Sequence, residues 1–292
     1  MTSESGPASG VVVVDKPGGL TSHAVVGRVR RLAGTRKVGH AGTLDPMATG
    51  VLVLGINRAT RLLGHLMLTE KSYDATVKLG VTTTTDDAEG DVVATAPTAD
   101  LDETGIREAF AAFAGEIDQV PSAVSAIKVD GKRAYQRVRD GEQVDLASRR
   151  VTVHELTVHA VRGDEVDLTV RCSSGTYIRA IARDAGQRLG VGGHLTALRR
   201  TAVGPFDLAV ARTLEELTEE FAMIPIAVAA RSAFPVYELD DPQATDVRYG
   251  RALDVTLPAP GPVAVFAPGG EFLALYEQVD EQRARAVAVF TG

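Results

Sequence analysis

Apolar residues recur along this chain in two rhythms. Val11-Val12-Val13-Val14 and Val51-Leu52-Val53-Leu54 are continuous apolar runs of strand length, which predicts buried strands. Residues 72–80 alternate, and 151–160 and 165–172 read as two paired strands. A helical period over 23–33 puts Val25, Val29 and Leu32 on one face and Arg28, Arg30 and Arg31 elsewhere, with Thr21 or Ser22 as cap and Gly34 as stop. Residues 58–68 predict a short helix. Residues 103–114 predict an amphipathic one, with Ile106, Phe110 and Phe113 inward and Gly115 ending it. A turn at 173–179 leads into a helix ending near Gly190, whose stripe is Ile178, Ile181, Ala182, Ala185 and Leu189. Residues 82–90, polar and acidic, read as a loop, and 213–220 as an acidic surface helix. Residues 120–147 keep no period and carry Lys128, Lys132, Arg133, Arg137 and Arg139, a basic excursion expected to be partly mobile. From about 230, short β-rich runs (246–257, 262–267, 271–277, 284–290) alternate with Pro and Gly, and Pro268-Gly269-Gly270 reads as a hairpin-like turn. The expectation there is a small separate β-domain.

One stretch fits neither rhythm: Arg36-Lys37-Val38-Gly39-His40-Ala41-Gly42-Thr43-Leu44-Asp45-Pro46-Met47-Ala48-Thr49-Gly50. Its glycines open backbone angles closed to other residues and allow a close approach. Pro46 biases Asp45 away from helix, so the acid should sit on a fixed, kinked backbone. An Asp-Pro pair alone is a turn signal. Here basic residues, a histidine and a threonine surround the acid, which points to chemistry.

The 292 residues, 45% hydrophobic, suffice for one large or two ordinary domains with a substantial core. One cysteine, Cys172, excludes an internal disulfide and suits a reducing compartment. Residues 1–9 are polar and small, with no signal sequence, and are expected to be disordered. The run at Val11 is too short to span a bilayer. The expectation is a soluble cytoplasmic protein that does not engage membranes. Net charge is −7, but it is unevenly spread: residues 1–200 balance at +1 and residues 201–292 at −8. Between Lys16 and Lys37 there are six bases and no acid; between Arg171 and Arg200, six bases and one acid. Local field governs where a polyanion docks, so a nucleic-acid partner stays open.

Several chemistries drop out. G-x-x-x-x-G-K-[ST] is absent, which removes a P-loop nucleotide triphosphatase. His23, His40, His65, His154, His159, His194 and Cys172 show no metal-ligand spacing. G-x-S-x-G is missing, and Asp45 has no paired acid for a glycosidase. A lone carboxylate leaves two roles, nucleophile or base.

Lys16-Pro17-Gly18-Gly19-Leu20-Thr21-Ser22, the run Gly39-His40-Ala41-Gly42-Thr43-Leu44-Asp45-Pro46-Met47-Ala48-Thr49-Gly50, and Gly175-Thr176-Tyr177-Ile178-Arg179 resemble, in order, the signature motifs of the TruB family of pseudouridine synthases. Ile127-Lys128 and Arg133-Ala134-Tyr135 resemble that family's thumb segment. The likeness covers residues 10–210 and weakens beyond 230. Bacterial members modify the uridine at position 55 in the T arm of tRNA.

The resemblance implies an α+β fold: a catalytic domain over 10–229 on a mixed, mostly antiparallel central sheet, with 120–147 as a thumb-like RNA-binding insertion. Residues 230–292 would then be a small β-rich, PUA-like domain that braces the rest. It implies no cofactor, no metal and no obligate protein partner; a monomer acting on the tRNA T arm is expected. Asp45 matches the family's catalytic aspartate and Arg179 the arginine that pairs with it. Tyr73 matches the tyrosine that stacks on the target base, and Tyr177 the one that closes the pocket. His40 matches the histidine that fills the space left by flipped bases, and Leu198 packs on the base. Lys16 supports the active-site structure, while Lys128, Lys132 and Arg133 hold RNA backbone. A second reading, from another class, is a tRNA-binding folding chaperone in which base flipping rather than catalysis matters. Intact Asp45, Tyr73 and Arg179 favour the enzyme, because pure binding does not call for a carboxylate facing an anionic ligand. A ribosomal-RNA-guided relative within a multiprotein particle is disfavoured by the absence of long basic tails.

Overall fold

A computed structural model describes residues 8–122 and 146–291, and the backbone of 128–129 and 132–133. In chain order the elements are β1 (Gly10–Lys16), α1 (Ser22–Leu32), β2 (Val38–His40), β3 (Thr49–Ile56), α2 (Leu63–Leu66), β4 (Lys71–Leu79), β5 (Val81–Thr83), β6 (Val92–Thr95), α3 (Glu103–Ala111) and β7 (Gly115–Gln119). Then come β8 (Lys128–Val129), β9 (Lys132–Arg133), β10 (Arg149–Arg162), β11 (Glu165–Cys172), α4 (Ile178–Arg188), β12 (Gly193–Val203), β13 (Phe206–Asp207) and α5 (Leu214–Glu219). The chain closes with β14 (Ile224–Pro225), α6 (Ile226–Ala233), β15 (Val236–Glu238), α7 (Asp241–Arg248), β16 (Val263–Phe266), β17 (Phe272–Gln278) and β18 (Ala284–Val289). The fold is α+β, and its strand pairs are mostly antiparallel.

The chain forms two compact units. One holds the residues up to Asp45, Val51–Leu68 and the residues from Val203 onward. In it β1 lies between β14 and β3, and β2 pairs antiparallel with β3. The uninterrupted apolar runs of β1 and β3 are buried on both faces, as such runs require. Val11, Val13, Val51, Val53, Leu62 and Leu66 share one core with Phe266, Phe272, Leu275 and Phe290 of the C-terminal region. The C-terminal sheet runs β15-β16-β17-β18. Alternate residues of β16 serve different cores: Ala264 and Phe266 join the core of β1 and β3, whereas Val263 and Val265 pack with Leu239, Val247 and Tyr276. This explains a strand with no polar face.

Two readings of the pattern change in this unit. Residues 246–257, expected as β-rich, contain no strand; 241–248 form α7, capped reciprocally by Asp240 and Gln243 with Pro242 in the first turn. Residues 58–68 split into a 3-10 turn, Asn57–Arg61, and the single-turn α2. The acidic helix α5 has the expected place, and its Leu214 and Leu217 are buried.

The second unit holds Pro46–Gly50 and Thr69–Ala202. Its strands run β12-β4-β11-β10-β7. The alternation read over 72–80 is seen in β4, where Lys71, Tyr73, Ala75, Val77 and Leu79 are buried. That face packs on Ile106 and Phe110 of α3 and on Ile178, Ile181 and Ala185 of α4. β10 bends through two register shifts against β11. The expected loop over 82–90 begins as β5, which pairs with β6, and its Asp86 and Asp87 are buried. Among the described residues no helix is long and apolar enough to cross a membrane.

Candidate active site

The long loop is built on the first unit as far as Asp45. Lys16 is fully buried at the end of β1, and its ammonium donates to the carbonyls of Pro17 (2.8 Å) and Leu20 (2.7 Å), fixing the turn that precedes α1. A charge this deep is held only by such satisfied donors. Thr21 caps α1 by accepting from the Ala24 N–H. The next residue reaches the loop: the Ser22 hydroxyl donates to the Leu44 carbonyl (3.0 Å) and accepts from the Leu44 N–H (2.9 Å). The backbone beside Asp45 is thereby clamped at both polar groups. Farther back, the Ala41 N–H donates to Val53, and Gly42 takes φ +97°, a left-handed angle only glycine adopts freely. His40 ends β2, half-buried, with its ring edge-on to His23 at 5.6 Å. Asp45 itself is half-buried, between buried Leu44 and half-buried Pro46.

From Pro46 to Gly50 the loop belongs to the second unit. Thr49 and Gly50 pair in parallel with Arg199 and Arg200 of β12. Gly50 has φ +96°, and a Cβ there would lie 2.2 Å from the Arg200 carbonyl oxygen. Leu198, half-buried on β12, lines a groove of about 820 Å³ with Met47, Thr49, Asp74, Thr196 and Arg199.

The same unit holds Tyr73, Tyr177 and Arg179. Tyr73 is buried in β4 within the core that includes Ile178, and Leu198 packs against that core. Tyr177 precedes α4, half-buried. Its N–H donates to the Gln119 side-chain oxygen (2.8 Å) and its carbonyl accepts from the Gln119 amide (3.0 Å). Arg179, in the first turn of α4, is only 5% exposed. It donates to the Thr85 carbonyl at 2.7 Å and faces the Asp87 carboxylate at 3.4 Å. Asp87, 2% exposed, also accepts from the Glu89 N–H and the Thr85 hydroxyl. Beside it, Arg183 reaches Asp86 (3.2 Å), Asp184 (2.7 Å) and the Val120 carbonyl (2.8 Å). Burial pushes the Asp86 carboxyl up; the Ser122 hydroxyl and the guanidiniums of Arg183 and Arg179 oppose that shift.

The structure thus groups Lys16, His40 and Asp45 in one unit and Tyr73, Tyr177, Arg179 and Leu198 in the other. The backbone of Lys128 opens β8, paired with β9, and its side chain lies outside the described residues, as do those of Lys132 and Arg133. Asp87, Gln119 and Arg183 escaped the reading of the sequence. Four threonines leading into two acids look like a solvated loop, and nothing local announces that α4 supplies cations to bury them. Among the described residues no cluster of three or more His, Cys, Asp or Glu side chains is placed to hold a metal.

Comparison with known proteins converges on one family. Residues 30–178 match the TruB family pseudouridylate synthase N-terminal domain. Residues 179–227 match the tRNA pseudouridylate synthase B C-terminal domain, and 234–291 the tRNA pseudouridine synthase II C-terminal domain. The tRNA pseudouridine synthase B of Arthrobacter sp. (strain FB24) is 59% identical, covering 91% of this chain and 92% of that protein. That of Streptomyces griseus is 54% identical over 99% of this chain and all of its own. Among solved structures, an H/ACA RNP bound to a substrate RNA containing 2′-deoxyuridine contains a chain 26% identical, with a TM-score of 0.74, covering 97% of this chain and 85% of that one. The clamped aspartate loop, the arginine at the head of α4 and these likenesses agree: the chain belongs to the TruB family of pseudouridine synthases.

Proposed function

We propose that this protein isomerises uridine to pseudouridine in tRNA, at position 55 of the T arm, with Asp45 as the catalytic carboxylate. The likeness to curated tRNA pseudouridine synthases B over nine-tenths of both chains carries the reading. The reaction breaks the bond from N1 to C1′, turns the base and joins C5 to C1′; N1 gains a proton and C5 loses one. No water is consumed. Asp45 acts ionised, either as nucleophile toward the sugar or base or as the base that takes the C2′ proton. A neighbouring guanidinium favours the charged acid, which is the role of Arg179 in this reading. Its bond to the Thr85 carbonyl and its ion pair with Asp87 support that role by restricting how the side chain can turn.

The target base must leave the RNA stack, at a cost of a few kcal/mol. Tyr73 stacks on the extruded base, Leu198 packs on it, Tyr177 closes the pocket, and His40 enters the vacated space. Lys16 holds the turn beneath the loop. Lys128, Lys132 and Arg133 hold phosphates, contacts that position the RNA without reading its sequence. The protein acts as a monomer, without a partner chain. Sedimentation of the active enzyme should give a single 30.7 kDa species.

The test is tritium release from tRNA labelled at uridine C5, since joining C5 to the sugar expels that hydrogen. Wild type should release tritium and Asp45→Asn should not, while both bind tRNA. Release by Asp45→Asn near the wild-type rate would remove Asp45 from the mechanism. Tight binding without release by either would favour the folding-chaperone role.

A further inference from the structure

We infer that Gln119 is a positioning residue for the chemical step: its buried amide fixes the backbone of Tyr177, and with it the first turn of α4 that carries Arg179. The inference rests on the site reading above and extends it to a residue far away in the chain.

A primary amide carries one donor and one acceptor in a single plane, so it can satisfy an N–H and a C=O of the same residue. Gln119 does this to Tyr177, donating to its carbonyl at 3.0 Å and accepting from its N–H at 2.8 Å. Gln119 is only 2% exposed. A leucine would fill such a place without any desolvation cost, so the amide's contribution lies in these two bonds.

Tyr177 is where control over the head of α4 is needed. It is the N-cap, extended at φ −104° and ψ 108°, and no side chain caps the helix there. Helix starts leave backbone donors unsatisfied and tend to fray. The Tyr177 carbonyl also accepts from the N–H groups of Ala180 and Ile181, so aiming that carbonyl aims the whole first turn. A rotation at Tyr177 would swing both its ring and the guanidinium two residues later.

Gln119 is itself anchored. Its backbone pairs with Arg149 in the β7–β10 ladder. The following carbonyl, of Val120, accepts from Arg183 at 2.8 Å, and Arg183 also holds Asp86, the neighbour of the acid that faces Arg179. β7 and α4 are therefore tied at two points, one through each partner's side chain.

Gln119→Met keeps the volume and removes both bonds. Single-turnover tritium release should slow by about tenfold or more, the scale expected for a small misplacement of reacting groups. The dissociation constant for tRNA should stay within about threefold of wild type, an effect under 1 kcal/mol. Gln119→Glu gives a readout that mere packing would not move. A protonated carboxyl can donate to the carbonyl and accept from the N–H as the amide does; an ionised one only accepts. Its rate relative to wild type should therefore rise as pH falls. Wild-type single-turnover rates in Gln119→Met, or a loss explained wholly by weaker tRNA binding, would overturn the inference. So would a Gln119→Glu rate ratio that does not change with pH. Asp45→Asn, measured alongside, tests the underlying site: its activity near wild type would overturn both readings together. An inactive Asp45→Asn beside a fully active Gln119→Met would overturn this one alone.

Discussion

Lys71 and Cys172 are partners across the β4–β11 ladder, and burial shifts both toward their neutral forms. Burial, and then the nearby Arg200, lowers the Lys71 amine from 10.5 to about 8; burial pushes the Cys172 thiol up to about 11. Because the folded pKa of Lys71 lies below its unfolded value, the unfolded chain holds more protons between about 8 and 10.5. Stability rises with pH through that window. Lys71→Met has no such group. The unfolding free energy of wild type minus that of Lys71→Met should thus move in favour of wild type by roughly 3 kcal/mol as pH crosses the window. Urea denaturation at matched pH reads it, and a difference independent of pH would mean that Lys71 titrates alike folded and unfolded. At this scale the sequence was legible where a residue's role is local. Glycine, proline and acid in one loop announced a rigid backbone around Asp45, and Ser22 and Gly42 supply it. Asp87 and Gln119 stayed hidden because their partners, Arg179 and Tyr177, meet them only through tertiary packing.

Among elements, the junction of β3 and β12 leaves no room for a side chain at Gly50. Gly50 sits at φ +96° with the Arg200 carbonyl where a side chain would begin, whereas Gly19, at φ +78°, has open space around it. Gly19→Ala should incur only backbone strain, about 1 kcal/mol. Gly50→Ala adds a backbone collision that β12 must yield to, for roughly 2–4 kcal/mol in all. Equal midpoints for the two variants in denaturant would show that β12 relaxes freely. Strands with a uniform environment were readable: the all-apolar runs of β1 and β3, and the alternation of β4. β12 was not, because its burial changes from residue to residue along one strand and leaves no period. α7 was misread although its signal was present. Asp240, Pro242 and Gln243 spell a capped helix start, but the Pro- and Gly-rich surroundings suggested strands and turns.

At the scale of the molecule, the texture of the sequence changes near residue 230, and the family models also divide there, at 227 and 234. A break in texture is not a break in packing. Within the first unit, Phe266, Phe272, Leu275 and Phe290 complete the core begun by Val11, Val13, Val53 and Leu62. Phe272 stacks between Phe266 (5.4 Å) and Phe290 (4.7 Å). Arg58 and Arg61, just after β3, donate to the carbonyls of Phe290 and Val289 at 2.9 Å each. The acidic balance of residues 201–292 opposes a grip on RNA phosphates, and bracing is the role its contacts support. Phe272→Ala should cost about 3–5 kcal/mol, as for a large aromatic removed from a closed core. Truncation after residue 229 should do more than lower the midpoint. It strips one wall from the core under β1 and β3, and β3 receives the aspartate loop that leaves β2, so that unit should lose its cooperative transition and bind a hydrophobic dye. Tritium release should disappear with it, although no proposed RNA contact has been removed. A truncated protein that still unfolds cooperatively near the wild-type midpoint would show that residues 230–292 are an appendage. Cooperative folding with tRNA binding lost would instead make them an RNA-binding module, against their charge.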